Sequence, residues 1–201
     1  MKEIVVASNN KEKIKEIEAI LSEIYGGKLK LLSLSDIGFT EKIEETGETF
    51  SENAEIKAMA VAKLGYTAIA DDSGLCVEAL NGAPGVHSAR FAGEPCNDEA
   101  NINKLLTLMA DVPDELRKAK FVSAICCVTP DGREIFAHGE CDGKIIRKPK
   151  GKNGFGYDPV FKCCSCVTFA QISPEEKNKI SHRAKAIRNF AELAKQTKIF
   201  D

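Results

Sequence analysis

Apolar residues recur along the chain in two periods. Ile4–Ala7 is a short β-rich run. From Lys11 to about Ile24, apolar side chains fall at Ile14, Ile17, Leu21 and Ile24, a helical stripe. Leu29–Leu34 returns to a strand pattern. Thr49-Phe50-Ser51-Glu52 matches a capping box, which predicts a helix from there to about Leu64, ended by Gly65. Ala68–Ala70 reads as a short strand that stops at two adjacent acids, Asp71 and Asp72. A Ser73-Gly74 turn follows, and Leu75–Leu80 is a second extended segment. Asp98–Met109 has helical spacing. Phe121–Thr129 and Glu134–Cys141 flank Pro130-Asp131-Gly132, a hairpin signal, and Gly143–Arg147 extends that sheet. Ser173-Pro174-Glu175-Glu176 is a second capping box with proline at the first helical position. The last helix, about Arg183–Lys195, carries Ile187, Phe190, Ala191 and Ala194 on one face. Crossovers and a hairpin together predict an α/β fold with a mixed sheet.

Composition narrows the function without naming it. The 201 residues suit one large domain or two small lobes that share a core. With 43% hydrophobic and 29% charged residues, the chain reads as an ordinary soluble globular protein. A net charge of −2 and the lack of a basic tail argue against a large nucleic-acid footprint. No stretch approaches the ~18–20 apolar residues of a membrane span, and the apolar run in MKEIVVASNN is too short for a signal peptide. The expected compartment is the cytoplasm, where the eight cysteines would be reduced. Cys126 and Cys127 lie in an apolar run and read as core. Cys163 and Cys166 form a single C-x-x-C, two ligands short of a closed zinc site, and Cys164 lies between them.

Five stretches carry candidate chemistry. Ser8-Asn9-Asn10-Lys11-Glu12-Lys13 feeds a helix N-terminus, where backbone N–H groups and Lys13 suit an anion; Asn9 or Asn10 serves equally as a plain helix cap. In Glu44-Glu45-Thr46-Gly47-Glu48 the two adjacent acids point to opposite faces of an extended backbone, so only one can serve a given site. On the helix that follows, Asn53 and Lys57 are four apart and share a face. Asp71 and Asp72 repel each other if both are buried, unless something cationic sits beside them; such carboxylates suit a hard cation such as magnesium.

In the fourth stretch, Lys150 to Pro159, three glycines permit close backbone approach. Phe155 and Tyr157 can stack on a base, and Asp158 can accept from ring N–H groups. The fifth is Lys177 with Ser181-His182-Arg183, where Arg183 suits a phosphate or a carbonyl oxygen. No P-loop pattern and no G-x-G-x-x-G occurs, and three histidines with no H-E-x-x-H argue against a histidine-rich zinc centre. Acids for a metal, cations for phosphates and a glycine-aromatic loop for a base form the kit of a nucleoside triphosphate site without a P-loop.

The order S-N-N-K-E-K, E-E-T-G-E-T-F-x-E-N-A, A-D-D-S-G-L-x-V, G-x-P-G-V-x-S-A-R, F-G-Y-D-P-x-F and S-H-R resembles the inosine/xanthosine triphosphate pyrophosphatase family over about residues 4–190. The resemblance implies one two-lobed α/β domain over residues 1–201, with a long mixed sheet flanked by helices and a substrate cleft between the lobes. It implies a homodimer and magnesium-dependent hydrolysis of ITP, dITP and XTP to a monophosphate and pyrophosphate. By motif, Ser8, Asn9, Asn10, Lys11, Glu12 and Lys13 would hold the triphosphate. Glu44 and Asp72 would bind metal, with Asp72 also the proton acceptor, and Ser73 would contact substrate. Phe155, Gly156, Tyr157, Asp158, Lys177, His182 and Arg183 would hold the base and neighbouring groups; Asn53 and Lys57 join the substrate set. In this family the first loop usually reads Ser/Thr-Gly-Asn. Asn9 stands in place of the glycine, and asparagine is among the few residues that tolerate a left-handed backbone. His87 and Phe91 stand where tyrosines are usual.

Overall fold

A computed structural model describes residues 2–163 and 167–200 of the chain. Among the described residues six strands and five α-helices follow in order: β1 (Lys2–Val6), α1 (Lys11–Tyr25), β2 (Leu29–Ser33), α2 (Phe50–Ala62), β3 (Ala68–Val77), α3 (Asp98–Leu108), β4 (Lys118–Val128), β5 (Glu134–Ile145), β6 (Phe161–Cys163), α4 (Pro174–Ile180) and α5 (His182–Thr197). The strands form one sheet in the order β2-β1-β3-β4-β5-β6. β1 runs parallel to β2 and β3, and β5 runs antiparallel to β6, so the sheet is mixed as expected. Both capping boxes form, at Thr49/Glu52 and at Ser173/Glu176.

The paired acids depart from the sequence reading. The acids do not end a short strand, and Ser73-Gly74 is not a turn. β3 runs through Asp71-Asp72-Ser73-Gly74 for ten residues, nearly all of them buried. A central strand covered on both faces hides the alternation that identifies a strand, and the polar run inside it reads as a loop.

The chain divides into two compact units. The first comprises Met1–Asp72, Ser123–Gly139 and Arg183–Asp201, and the second Ser73–Val122 and Glu140–His182. In the first unit the strand pleat sorts side chains onto two faces. Ile4, Val6, Ile69, Ile125 and Cys127 pack with Ile17, Ile20 and Leu21 of α1 and with Ala186, Ile187 and Phe190 of α5. The alternate residues Val5, Ala7, Ala68, Ala70, Cys126 and Val128 pack with Ala54, Ala58 and Val61 of α2. Burial pushes the thiols of Cys126 and Cys127 up, that of Cys127 to about 12, as befits inert core residues.

The second unit has its own core of Leu75, Val77, Ile102, Leu105, Met109, Phe121, Tyr157, Val160, Phe161 and Phe169. There the ring centroids of Phe121 and Phe161 lie 4.6 Å apart in an edge contact. Arg117 is buried beside this core and donates to the carbonyls of Ile145 and Met109, which secures the end of α3. No helix of the described residues is long and apolar enough to cross a membrane.

Candidate active site

The pleat of β3 resolves the problem of the paired acids. Asp71 continues the face of Ile69 toward α1 and α5, while Asp72 continues the face of Ala68 and Ala70 toward α2. Each therefore has its own ion-pair partners. Asp71 is fully buried. It accepts from Lys13 of α1 at 2.9 Å, from Arg183 of α5 at 3.2 Å and from the Ser123 hydroxyl at 2.5 Å. Burial alone would push its carboxyl up, but Arg183, Lys13 and Ser123 more than offset this and hold it well below the usual carboxylate range. Asp71 is thus a fixed anion. Arg183 is equally buried and pairs with Glu16 as well. Its guanidinium joins α5, α1 and β3.

Asp72 differs in kind. Its Oδ1 accepts from Lys57 of α2 at 2.8 Å, and the same ammonium reaches Glu45 at 2.7 Å. Burial raises the Asp72 carboxyl, and Lys57 and Lys13 only partly offset it, with Glu45 adding repulsion. For Lys57, burial lowers the ammonium but Asp72 and Glu45 more than reverse that. The site thus holds two carboxylates around one cation. Glu44, the metal ligand expected from the resemblance, is exposed; the acid brought to Lys57 and Asp72 is Glu45, the other of the two opposed side chains.

The loop that carries Glu45 is tied to the first turn of α2. The Gly47 amide donates to Asn53 Oδ1 at 2.8 Å, and the amides of Glu48 and Thr49 donate to Glu52 at 2.7 and 3.0 Å. Gly47 is required by this contact: a Cβ there would stand 2.6 Å from Glu52 Cβ and 2.8 Å from Asn53 Oδ1.

At the start of α1 the capping reading holds for Asn10. Its side chain accepts from the amides of Glu12 and Lys13, at 3.0 and 3.1 Å, and Ser8 Oγ accepts from the Asn10 amide at 3.2 Å. Asn9 is exposed and is not among the residues with positive φ, so this loop does not need the left-handed backbone that asparagine was expected to supply. Lys11 and Glu12 are exposed, and Glu12 pairs with Lys15. Lys13 is the residue of the stretch whose charge turns inward.

The second unit holds the other candidates. Lys177 of α4 donates to Asp158 at 2.6 Å, both side chains being buried. The Phe155 amide donates to the same carboxylate oxygen at 3.0 Å. The Lys177 ammonium lies over the rings of Phe155 at 4.6 Å and Phe169 at 5.6 Å. Gly154, at φ +75°, approaches Asp158 so closely that a Cβ would collide with the carboxylate. The Gly156 amide donates to Asp98 at the start of α3, at 2.7 Å. His182 is buried and stacks on Phe121, with centroids 4.6 Å apart and planes 11° from parallel.

The Tyr157 ring lies in the core and its hydroxyl donates to the Ser88 carbonyl at 2.9 Å. Phe155 is half-buried beneath the Lys177 ammonium. Ser73 is half-buried and follows Asp72 on β3. Cys163 is buried in β6, while Cys164 and Cys166 lie outside the described residues. Among the described residues no three His, Cys, Asp or Glu side chains cluster as metal ligands.

A profile of the Ham1 family matches residues 4–193. The chain belongs to the Ham1 family. A Bacillus licheniformis protein named dITP/XTP pyrophosphatase is 48% identical over 198 residues, 98% of this chain and all of that one. A Bacillus cereus protein of the same name is 45% identical over 196 residues, 96% of this chain and 94% of that protein. The solved Ham1 protein of Staphylococcus aureus superposes with a TM-score of 0.86 at 43% identity, covering 98% of this chain and all of that one. A HAM1 protein from Coxiella burnetii gives 0.87 at 40% identity, with the same coverage. The family and fold expected from the motifs are therefore those of this Ham1-family chain.

Proposed function

We propose that this chain is a nucleoside triphosphate pyrophosphatase that hydrolyses dITP, XTP and ITP to the monophosphate and pyrophosphate, and so removes deaminated purines from the nucleotide pool. Near-full-length similarity to proteins named dITP/XTP pyrophosphatase supports the substrate class. The observation that carries the mechanism is the split of the acid pair: Asp71 is locked by two cations, while Asp72 is raised and shares Lys57 with Glu45.

The residues fit magnesium. That ion typically uses one or two protein carboxylates and takes its remaining ligands from water and phosphate, and Asp72 and Glu45 already converge on one cationic group. Bound there, magnesium would neutralise triphosphate charge and lower the pKa of a bound water. Asp72 accepts the proton of the water that attacks the α-phosphorus. The bond from that phosphorus to the bridging oxygen of the β-phosphate breaks, and pyrophosphate leaves. A carboxylate raised by burial is a better base than an ordinary aspartate. Lys57 and Lys13 add positive charge against the developing negative charge. Lys177, held by Asp158 and Phe155, is the donor assigned to the purine carbonyl at position six; an amino group there presents a donor to a donor. Phe155 supplies the stacking face.

Magnesium dependence, a cytoplasmic location and a homodimer belong to the same proposal. The free thiols of Cys76, Cys96, Cys126 and Cys127 are consistent with a reducing compartment. The homodimer rests on the family resemblance, and sedimentation velocity tests it. The activity is tested by product analysis. With magnesium, ITP should yield IMP and pyrophosphate; IDP and orthophosphate as products would refute attack at the α-phosphorus.

A further inference from the structure

Asn53 is 1% exposed, and its Nδ2 meets no acceptor among the described residues. Its Oδ1 is fixed by the Gly47 amide at 2.8 Å, so the amide orientation is set and the NH2 group is the unmatched end. A buried donor without a partner is costly, and aspartate, the isosteric alternative, would remove the N–H only by burying a charge. Asn53 lies one helical turn before Lys57, whose ammonium holds Glu45 and Asp72, and its Oδ1 holds the loop two residues past Glu45.

We propose that Asn53 is a bifunctional site residue: Oδ1 sets the position of the Glu45–Gly47 segment, and Nδ2 donates to an anionic phosphoryl oxygen of the bound polyphosphate. This rests on the nucleotide reading given above and assigns one of its contacts to a particular atom. The donor left unmatched by the fold is matched when ligand arrives. The crowding at Gly47 fits this role, because the amide-to-Asn53 contact forms only where no side chain intervenes. Asn53 acts on Glu45 through the backbone and on the ligand directly.

The test is an NMR titration of 15N-labelled full-length protein with pyrophosphate, with and without magnesium. Asn53→Asp assigns the side-chain NH2 resonances by their disappearance. The proposal predicts a downfield shift of one Asn53 Nδ2–H signal that saturates with the ligand. It also predicts that Asn53→Asp binds pyrophosphate about ten-fold or more weakly while its Gly47 amide signal stays near the parent position. Asn53→Ala should lose both, with the Gly47 amide also released. If pyrophosphate shifts other site resonances but leaves the Asn53 NH2 pair in place, the proposal is overturned and the nucleotide reading stands. If neither pyrophosphate nor ITP shifts any site resonance, the nucleotide reading fails, and this proposal with it.

Discussion

Replacing Asp71 and Asp72 one at a time by asparagine separates two roles that adjacent positions in one motif would otherwise seem to share. Asp71 is wholly buried and neutralises Lys13 and Arg183, and Arg183 is itself 1% exposed. Removing one partner of a buried pair costs about 3–5 kcal/mol, because the other charge is left uncompensated. Here Glu16 still faces Arg183 and Lys13 keeps some solvent contact, so the lower end applies, about 3 kcal/mol. For a chain of this size, that corresponds to roughly 6–12 °C in melting temperature.

Asp72→Asn removes a charge that burial disfavours, and Glu45 remains on Lys57. Its stability change should stay within about 1 kcal/mol, while turnover of ITP falls ~10²–10⁴-fold with the loss of the proton acceptor. Thermal unfolding by circular dichroism and pyrophosphate release, both near neutral pH, read the two effects. Equal melting temperatures for parent and Asp71→Asn would refute the reasoning, as would an Asp72→Asn variant that is as destabilised as Asp71→Asn. Should Asp71→Asn fail to accumulate, acid titration of the parent tests the same interaction. Because the folded state lowers the Asp71 carboxyl, its stabilisation is complete above the unfolded value near ~3.9 and is lost as pH falls through the lower folded value.

Three further outcomes follow from the same geometry. Glu45→Gln should raise the magnesium concentration needed for half-maximal activity about ten-fold or more, and Glu44→Gln should leave it within about two-fold, as titrations of activity against magnesium will show; the reverse ranking would restore Glu44 as the ligand. Burial raises Asp72, so in the metal-free protein its carboxyl should titrate by NMR above an ordinary aspartate, and Lys57→Met should move it higher still by removing the main offsetting charge; an unmoved titration in that variant would contradict the pairing. Gly154→Ala should weaken purine selectivity and destabilise the fold by more than Gly156→Ala. Both have positive φ, worth roughly 1–2 kcal/mol, but only at Gly154 does a Cβ also strike Asp158; matched melting and selectivity data for the two variants check this.

The sequence made much of this visible because local rules decide it. The stripe Ile14, Ile17, Leu21, Ile24 became α1, and the two capping boxes became the starts of α2 and α4. The motif residues Lys13, Lys57, Asp71, Asp72, Asp158 and Lys177 all proved to be paired, within their own units. What stayed hidden depends on long-range contact. The continuity of β3 through four polar and small residues follows from neighbours on both faces, which no local pattern records. The burial of Tyr157 and of Arg183 is likewise set by distant partners, Ser88 in one case and Asp71 and Glu16 in the other. Two missed residues left a trace. Ser123 interrupts the apolar run FVSAICCV, and Glu16 follows Lys13 by three positions beside the apolar stripe of α1. Asp98, which holds the Gly156 amide, left none beyond its place at a helix start.

The most direct test of the central claim is pyrophosphate release from ITP, dITP and XTP beside ATP and GTP, each with magnesium and with chelator. Magnesium-dependent release is expected, with kcat/KM favouring ITP and XTP over ATP by about 10²-fold or more, since a donor aimed at the carbonyl at position six rejects an amino group there. Equal turnover of ATP, or release that persists in chelator, would contradict the claim.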